Sequence, residues 1–116
     1  MKRLALSLPL AALVAAFAAG APSAATQTVN VTETSYKIRF STAPRAGTVR
    51  FVIVNASDDL HNFRLRGGGV SKTSRMLTGG NRAVLAVALK KGMRYQVWCT
   101  IGDHAAEGMR TSFVAR

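Results

Sequence analysis

The chain has 116 residues, with 16 Lys and Arg against 5 Asp and Glu, a single cysteine and two histidines. One cysteine excludes internal disulfides, and the absence of a third histidine argues against a histidine-rich metal site within a single chain. The positive charge favours anionic partners. No run of Lys or Arg is interleaved with aromatic residues, which argues against a nucleic-acid-binding protein.

Residues 1–25 are typical of a secretory signal peptide. Two basic residues precede an apolar run at 4–19, and the small residues of GAPSAAT follow. This order predicts export to the periplasm or the extracellular space, with cleavage after Ala25 and a single domain at 26–116. A membrane anchor is the competing interpretation, because the apolar run approaches spanning length. No basic or polar stop follows the run, which favours cleavage.

The first three predicted strands are TQTVNVTE, YKIRFS and TVRFVIVN, separated by turn residues. In each of them alternate residues are mostly apolar and define one face of a strand. These residues are Val29 and Val31, then Tyr36, Ile38 and Phe40, then Val49, Phe51, Ile53 and Asn55. The third strand is the most apolar of the three, which predicts a central position in its sheet.

The later strands continue this pattern. LHNFRLR places His61 on the apolar face with Phe63 and Leu65, and places Asn62 on the opposite face. The glycine-rich, basic connection at 67–82 is too long for plain coil and is expected to contain a short helix or strand. AVLAVALKKG, MRYQVWC and RTSFVAR complete the set. The inward residues of MRYQVWC are Met93, Tyr95, Val97 and Cys99. Six to eight short strands predict an all-β, antiparallel Greek-key sandwich or barrel.

The metal-capable side chains are few, and this fold could bring them together. Cys99 ends an inward-facing strand, and His104 and Met109 follow it at five-residue intervals. His61 faces inward from a neighbouring strand. Two imidazoles and a thiolate in a plane, with a weak axial thioether, describe a blue copper site. Structural zinc is the main competitor, but it prefers four strong ligands.

Each of these residues also has a simpler interpretation. Cys99 and Met109 taken singly are more often core-filling residues, and His61 is more often a hydrogen-bonded core histidine. A bare thiol in an exported protein is open to oxidation, and metal binding removes that liability. Taken together, both histidines and the only cysteine favour a metal site.

On these motifs the chain resembles the cupredoxins, the small blue copper proteins that include plastocyanin and azurin. The resemblance lies in AGTVRFVIVNAS, LHNF and KKGMRYQVWCTIGDHAAEGM. It implies that one copper ion is held by His61, Cys99, His104 and Met109. It also implies that Asn62 ties the His61 strand to the cysteine loop. Further residues expected beside the site are Asn55, Asp103 and Phe63, and the expected electron-exchange edge is His104 with Ile101. Many relatives have Pro-Gly where Gly102 and Asp103 stand here.

The resemblance implies a monomeric electron carrier, not an enzyme, that cycles between Cu(II) and Cu(I). Removal of residues 1–25 leaves a net charge of +9. This charge favours an acidic redox partner, such as a c-type cytochrome or a copper or haem oxidoreductase, steered by Lys and Arg around the His104 patch. An anionic membrane surface is a second expected contact. A periplasmic carrier or storage protein for Cu(I) is the alternative function, and a metal-free adhesive sandwich is the remaining one.

Overall fold

The computed structural model describes residues 2–7, 9, 11 and 26–116. Eight strands make up the fold of the described region. They are β1 Gln27–Thr34, β2 Lys37–Phe40, β3 Gly47–Asn55, β4 Arg64–Gly67, β5 Val70–Thr73, β6 Arg82–Leu89, β7 Arg94–Trp98 and β8 Arg110–Val114. No helix in this part of the chain is long and apolar enough to cross a bilayer. Most of the predicted signal peptide, including the cleavage site after Ala25, lies outside the described residues.

The strands form two four-stranded sheets. Their orders are β2–β1–β3–β6 and β5–β4–β7–β8. β1 and β3 pair in parallel, and the other pairs are antiparallel. The structure therefore confirms the all-β sandwich. It also confirms the central position of the third predicted strand, since β3 has β1 on one side and β6 on the other.

The core lies between the inward faces of the two sheets. The alternating residues of β1 and β3 that the sequence places inward are buried there. Phe51 joins the sheets, with its ring centroid 5.5 Å from that of Phe63 and 6.2 Å from that of Phe113. Tyr95 stacks on Phe113 at 5.5 Å. Burial of each large apolar side chain of this kind contributes ~1.5–3 kcal/mol, so the cluster holds the two sheets together.

Two details differ from or refine the sequence prediction. Met93 was expected in the core beside Cys99, but it is 41% exposed. It precedes β7 in the turn that follows β6, so strand alternation does not govern the direction of its side chain. The long connection at 67–82 contains a short strand, β5, as expected.

Candidate metal centre

Three metal-capable atoms converge at one end of the sandwich. The Nδ1 atoms of His61 and His104 are 3.2 Å apart, and the Cys99 Sγ lies 3.9 Å from the first and 3.7 Å from the second. A point equidistant from the three atoms lies about 2.1 Å from each. Bonds from imidazole nitrogen and thiolate sulfur to a first-row metal such as zinc measure ~2.0–2.1 Å and ~2.3 Å. The triangle therefore fits a single metal ion.

His61 and Cys99 are positioned by backbone pairing. His61 forms an isolated bridge with Leu77, in which its N–H donates to the Leu77 carbonyl at 3.1 Å and its carbonyl accepts from the Leu77 N–H at 2.7 Å. Cys99 directly follows β7, which pairs with β4 at Arg64↔Trp98. Since β4 begins three residues after His61, this register brings the two ligand candidates to the same end of the sheet. Both side chains are fully buried.

The loop between β7 and β8 is closed by its own backbone. The Cys99 N–H donates to the Met109 carbonyl at 3.1 Å, and the Met109 N–H donates to the His104 carbonyl at 3.0 Å. The His104 N–H donates to the Ile101 carbonyl at 3.1 Å. Met109 is fully buried, whereas His104 and Ile101 are half-buried. These bonds fix the spacing of the loop's three metal-capable residues before any metal binds.

Asn62 makes the hydrogen bonds that the resemblance predicted. Its Nδ2 donates to the Thr100 Oγ1 at 2.7 Å, and its Oδ1 accepts from the Thr100 N–H at 2.7 Å. Strand alternation had placed Asn62 outside, but the residue is only 5% exposed. The alternation fails because regular pairing begins at Arg64, so the chain at 61–63 is free to turn Asn62 toward the cysteine loop.

Asn55 organises the loop that leads to His61. Its Nδ2 donates to the carbonyls of Asp59 at 2.7 Å and Leu77 at 2.8 Å. Its Oδ1 accepts from the N–H and hydroxyl of Ser57 at 3.0 and 2.8 Å. Because Leu77 also pairs with His61, Asn55 supports this ligand candidate through one intermediate residue.

The other predicted neighbours of the site have different roles. Phe63 is buried in the core two residues from His61. Asp103 is exposed, and its carbonyl accepts from the Glu107 N–H at 3.0 Å, which closes a turn of the loop. Sequence reasoning missed Tyr36, whose ring centroid lies 4.9 Å from that of His104 at an angle of 56°. Tyr36 lies in the β1–β2 turn, and nothing in its spacing pointed to the site.

Burial and charge set the protonation of the site. Burial lowers the pKa of His61, and the nearby His104 lowers it further, whereas Asp59 opposes the change. A neutral imidazole presents a free lone pair to a metal, so the lowered pKa suits metal binding near neutral pH. The His61 Nε2 is buried without a hydrogen-bond partner among the described residues.

A second buried titratable group, Glu33, lies near the end of β1, opposite Ile38 on β2 and Asn55 on β3. Its side chain has no exposed surface, and neither carboxylate oxygen has a hydrogen-bond partner among the described residues. Burial raises its pKa to about 8. The sequence contained no signal for this residue beyond its inward parity with Val29 and Val31.

The charges around the site are unevenly distributed. The loop segments 56–62 and 99–109 contain Asp58, Asp59, Asp103 and Glu107 but no Lys or Arg. The Lys and Arg expected around the His104 patch are therefore absent from these two segments. The fifth acidic residue of the chain, Glu33, is buried.

The fold is shared with solved structures of auracyanins. Auracyanin B aligns with a TM-score of 0.65 at 19% identity, over 78% of this chain and 88% of that one. Auracyanin A, a "blue" copper protein from the green thermophilic photosynthetic bacterium Chloroflexus aurantiacus, gives 0.66 at 18% identity, over 78% and 99%. Auracyanin from the photosynthetic bacterium Roseiflexus castenholzii gives 0.61 at 17% identity, over 84% and 99%. No protein-family model and no curated protein matches the sequence. The chain therefore has the cupredoxin fold, as the resemblance predicted.

Proposed function

We propose that the chain is an exported type 1 copper protein that carries single electrons between redox partners. The observation that carries this proposal is the triangle of two imidazole nitrogens and one thiolate, with sides of 3.2, 3.7 and 3.9 Å. Two imidazoles, one thiolate and a weak thioether form the donor set of blue copper sites. The similarity of the fold to a "blue" copper protein supports the same function.

In this proposal His61, Cys99 and His104 would hold the copper, and Met109 would supply a weak thioether donor. Bound copper supplies a one-electron change between Cu(II) and Cu(I), for which this donor set suits both states. The protein keeps the donors in place during that change. The Asn62–Thr100 pair and the backbone bonds of the loop hold them without a metal, so little rearrangement accompanies electron transfer.

The proposed protein acts as a carrier and not as an enzyme. The half-buried His104 is the proposed edge for electron exchange, because His61 and Cys99 are fully buried. The predicted signal peptide supports a location in the periplasm or outside the cell. The excess of positive charge supports an acidic redox protein as donor or acceptor, such as a c-type cytochrome or a copper or haem oxidoreductase.

A visible spectrum of the copper-loaded protein tests this function. The chain loaded with Cu(II) should be intensely blue or green, and Cys99→Ser should lose the colour because the thiolate is lost. Metal content measured on the same samples separates loss of colour from loss of copper. A colourless chain that binds only Cu(I) would favour the copper-carrier alternative, and a chain that binds no copper would contradict both.

A further inference from the structure

The outer face of the sheet β5–β4–β7–β8 is rich in arginine. The register places Trp98 on β7 directly opposite Arg64 on β4 and Arg110 on β8. Arg66 lies in the next row, and Arg94 lies in the row after it. On β4 and β7 these residues alternate with buried ones, and Arg110 is exposed on β8, so all of them point outward. Directly opposite residues are ~4.5–5.5 Å apart at Cβ, so Trp98 lies between Arg64 and Arg110. We call this outer surface, with Arg66 and Arg94 in the following rows, the arginine face.

The strands of the arginine face contain no acidic residue. None of the chain's five acidic residues lies on β4, β7 or β8. Like charges on one face of a sheet repel one another where they come close. A partner that brings carboxylates to this face would relieve that repulsion, and binding would then be driven by opposite charge.

The face also has a shape that can receive a partner. A groove of about 460 Å³ runs along β7 and β8, lined by Trp98, Arg110 and Ala105 among others. The guanidinium carbon of Arg64 lies 5.4 Å from the centre of the Trp98 ring. The Arg64 Nη2 donates to the Ser71 hydroxyl at 3.3 Å, while its Nε is buried without a partner among the described residues. Arg64 is thus held against Trp98 with an unused hydrogen-bond donor.

We propose that the arginine face is a docking surface for an acidic protein, with Trp98 at its centre. Guanidinium groups bind carboxylates in a bidentate manner, and Arg and Trp are enriched among the residues that dominate interface energies. The ligand-bearing segments 56–62 and 99–109 contain carboxylates and no Lys or Arg, so the arginine face beside them is the surface that attracts the carboxylates of an acidic partner. Electron exchange with that partner rests on the proposed function, whereas docking itself does not.

A titration with an octaglutamate peptide tests the proposal. The chain contains one tryptophan, so its indole N–H gives a single NMR signal from the centre of the face. We expect this signal to move on addition of the peptide. Replacing Arg64 and Arg110 with Gln should weaken binding by roughly fivefold or more, because two charge pairs are lost. The matched control, Lys90→Gln with Lys91→Gln, removes the same charge in the β6–β7 turn and should weaken binding by less than about twofold.

The pair Arg66→Gln and Arg94→Gln gives a second test if loss of the Arg64–Trp98 contact prevents folding. These side chains are exposed, and their removal should weaken binding more than the lysine control. An unmoved indole signal, or equal losses in the arginine and lysine pairs, would overturn the proposal. It would also be overturned if phosphatidylglycerol vesicles bound through these arginines while the peptide did not, or if the face bound only a second copy of the chain. Titration of the copper-free chain keeps these outcomes separate from failure to bind copper.

Discussion

Replacing Glu33 with glutamine is expected to stabilise the protein at neutral pH. The Glu33 side chain has no exposed surface and no hydrogen-bond partner among the described residues. Its pKa rises from an ordinary value of 4.5 to about 8, and burial is the cause. A carboxylate is costly in an apolar core without a partner. The folded chain therefore binds a proton that the unfolded chain releases.

The size of the effect follows from the two pKa values. Below pH 4.5 both the folded and the unfolded chain carry the proton, so the group has no effect on stability. Between pH 4.5 and 8 only the folded chain carries it, and stability falls as pH rises. Well inside that window, each rise of one pH unit lowers the free energy of unfolding by about 1.4 kcal/mol. The loss amounts to about 3 kcal/mol at pH 7. Glutamine does not ionise, so Glu33→Gln should remove this loss.

Urea unfolding of the parent and the variant between pH 5 and pH 8 measures the difference. A chelator and a reductant exclude contributions from metal and from oxidation of Cys99. The lowered pKa of His61 acts in the opposite sense, since it costs stability as pH falls below 6.5. Both proteins contain His61, so its effect cancels in the comparison. Glu107→Gln, at an exposed position in the β7–β8 loop, is the matched control and should follow the parent.

The gap in unfolding free energy between Glu33→Gln and the parent should widen by about 3.5 kcal/mol from pH 5 to pH 8. A gap that stays constant over this range would refute the reasoning. It would mean that the folded and unfolded chains bind the Glu33 proton equally well.

Three other substitutions test the site and its support. Asn62→Ala removes both hydrogen bonds to Thr100 and should lower the free energy of unfolding in urea by about 2–3 kcal/mol. The double variant with Thr100→Val should lose less than the sum of the two single losses, and a loss equal to that sum would contradict an interaction between the two residues. Met109→Leu should keep the colour and raise the reduction potential in a redox titration, because a weak axial donor is lost; loss of copper would show a stronger role. Gly79→Ala places a Cβ against the Ser57 carbonyl oxygen, closer than van der Waals contact, and should lower the free energy of unfolding by ~1–3 kcal/mol. An unchanged melting temperature for Gly79→Ala would mean that the loop moves freely.

Strand alternation was sufficient to predict most of the fold. One buried face per strand leaves a period of two in the sequence, which correctly placed Val29, Phe51 and Val97 in the core. The same parity placed His61 and Cys99 inward, where the structure brings them together. Alternation predicted the burial of these residues correctly because they lie in regularly paired strands or close to the end of one.

The remaining features depend on contacts between distant segments. Tyr36 reaches His104 from the β1–β2 turn, and Thr100 meets Asn62 because β4 and β7 pair in one register. The resemblance predicted the role of Asn62, whereas alternation placed it outside. The arginine face requires the order β4–β7–β8, which no local pattern reveals. The prediction that Met93 is buried was wrong because turn residues do not follow the alternation of a strand.

The position of the candidate ligands along the chain has a consequence for folding. Cys99, His104 and Met109 lie within eleven residues between two strands that pair with each other, whereas His61 is 38 residues away from Cys99. Contacts that are local in sequence form sooner than distant ones, because less chain entropy is lost in closing the loop. We expect the β7–β8 hairpin to form before β4 docks on it. Full metal affinity would then appear only at that last step, and metal binding in a refolding experiment would report completion of this sheet.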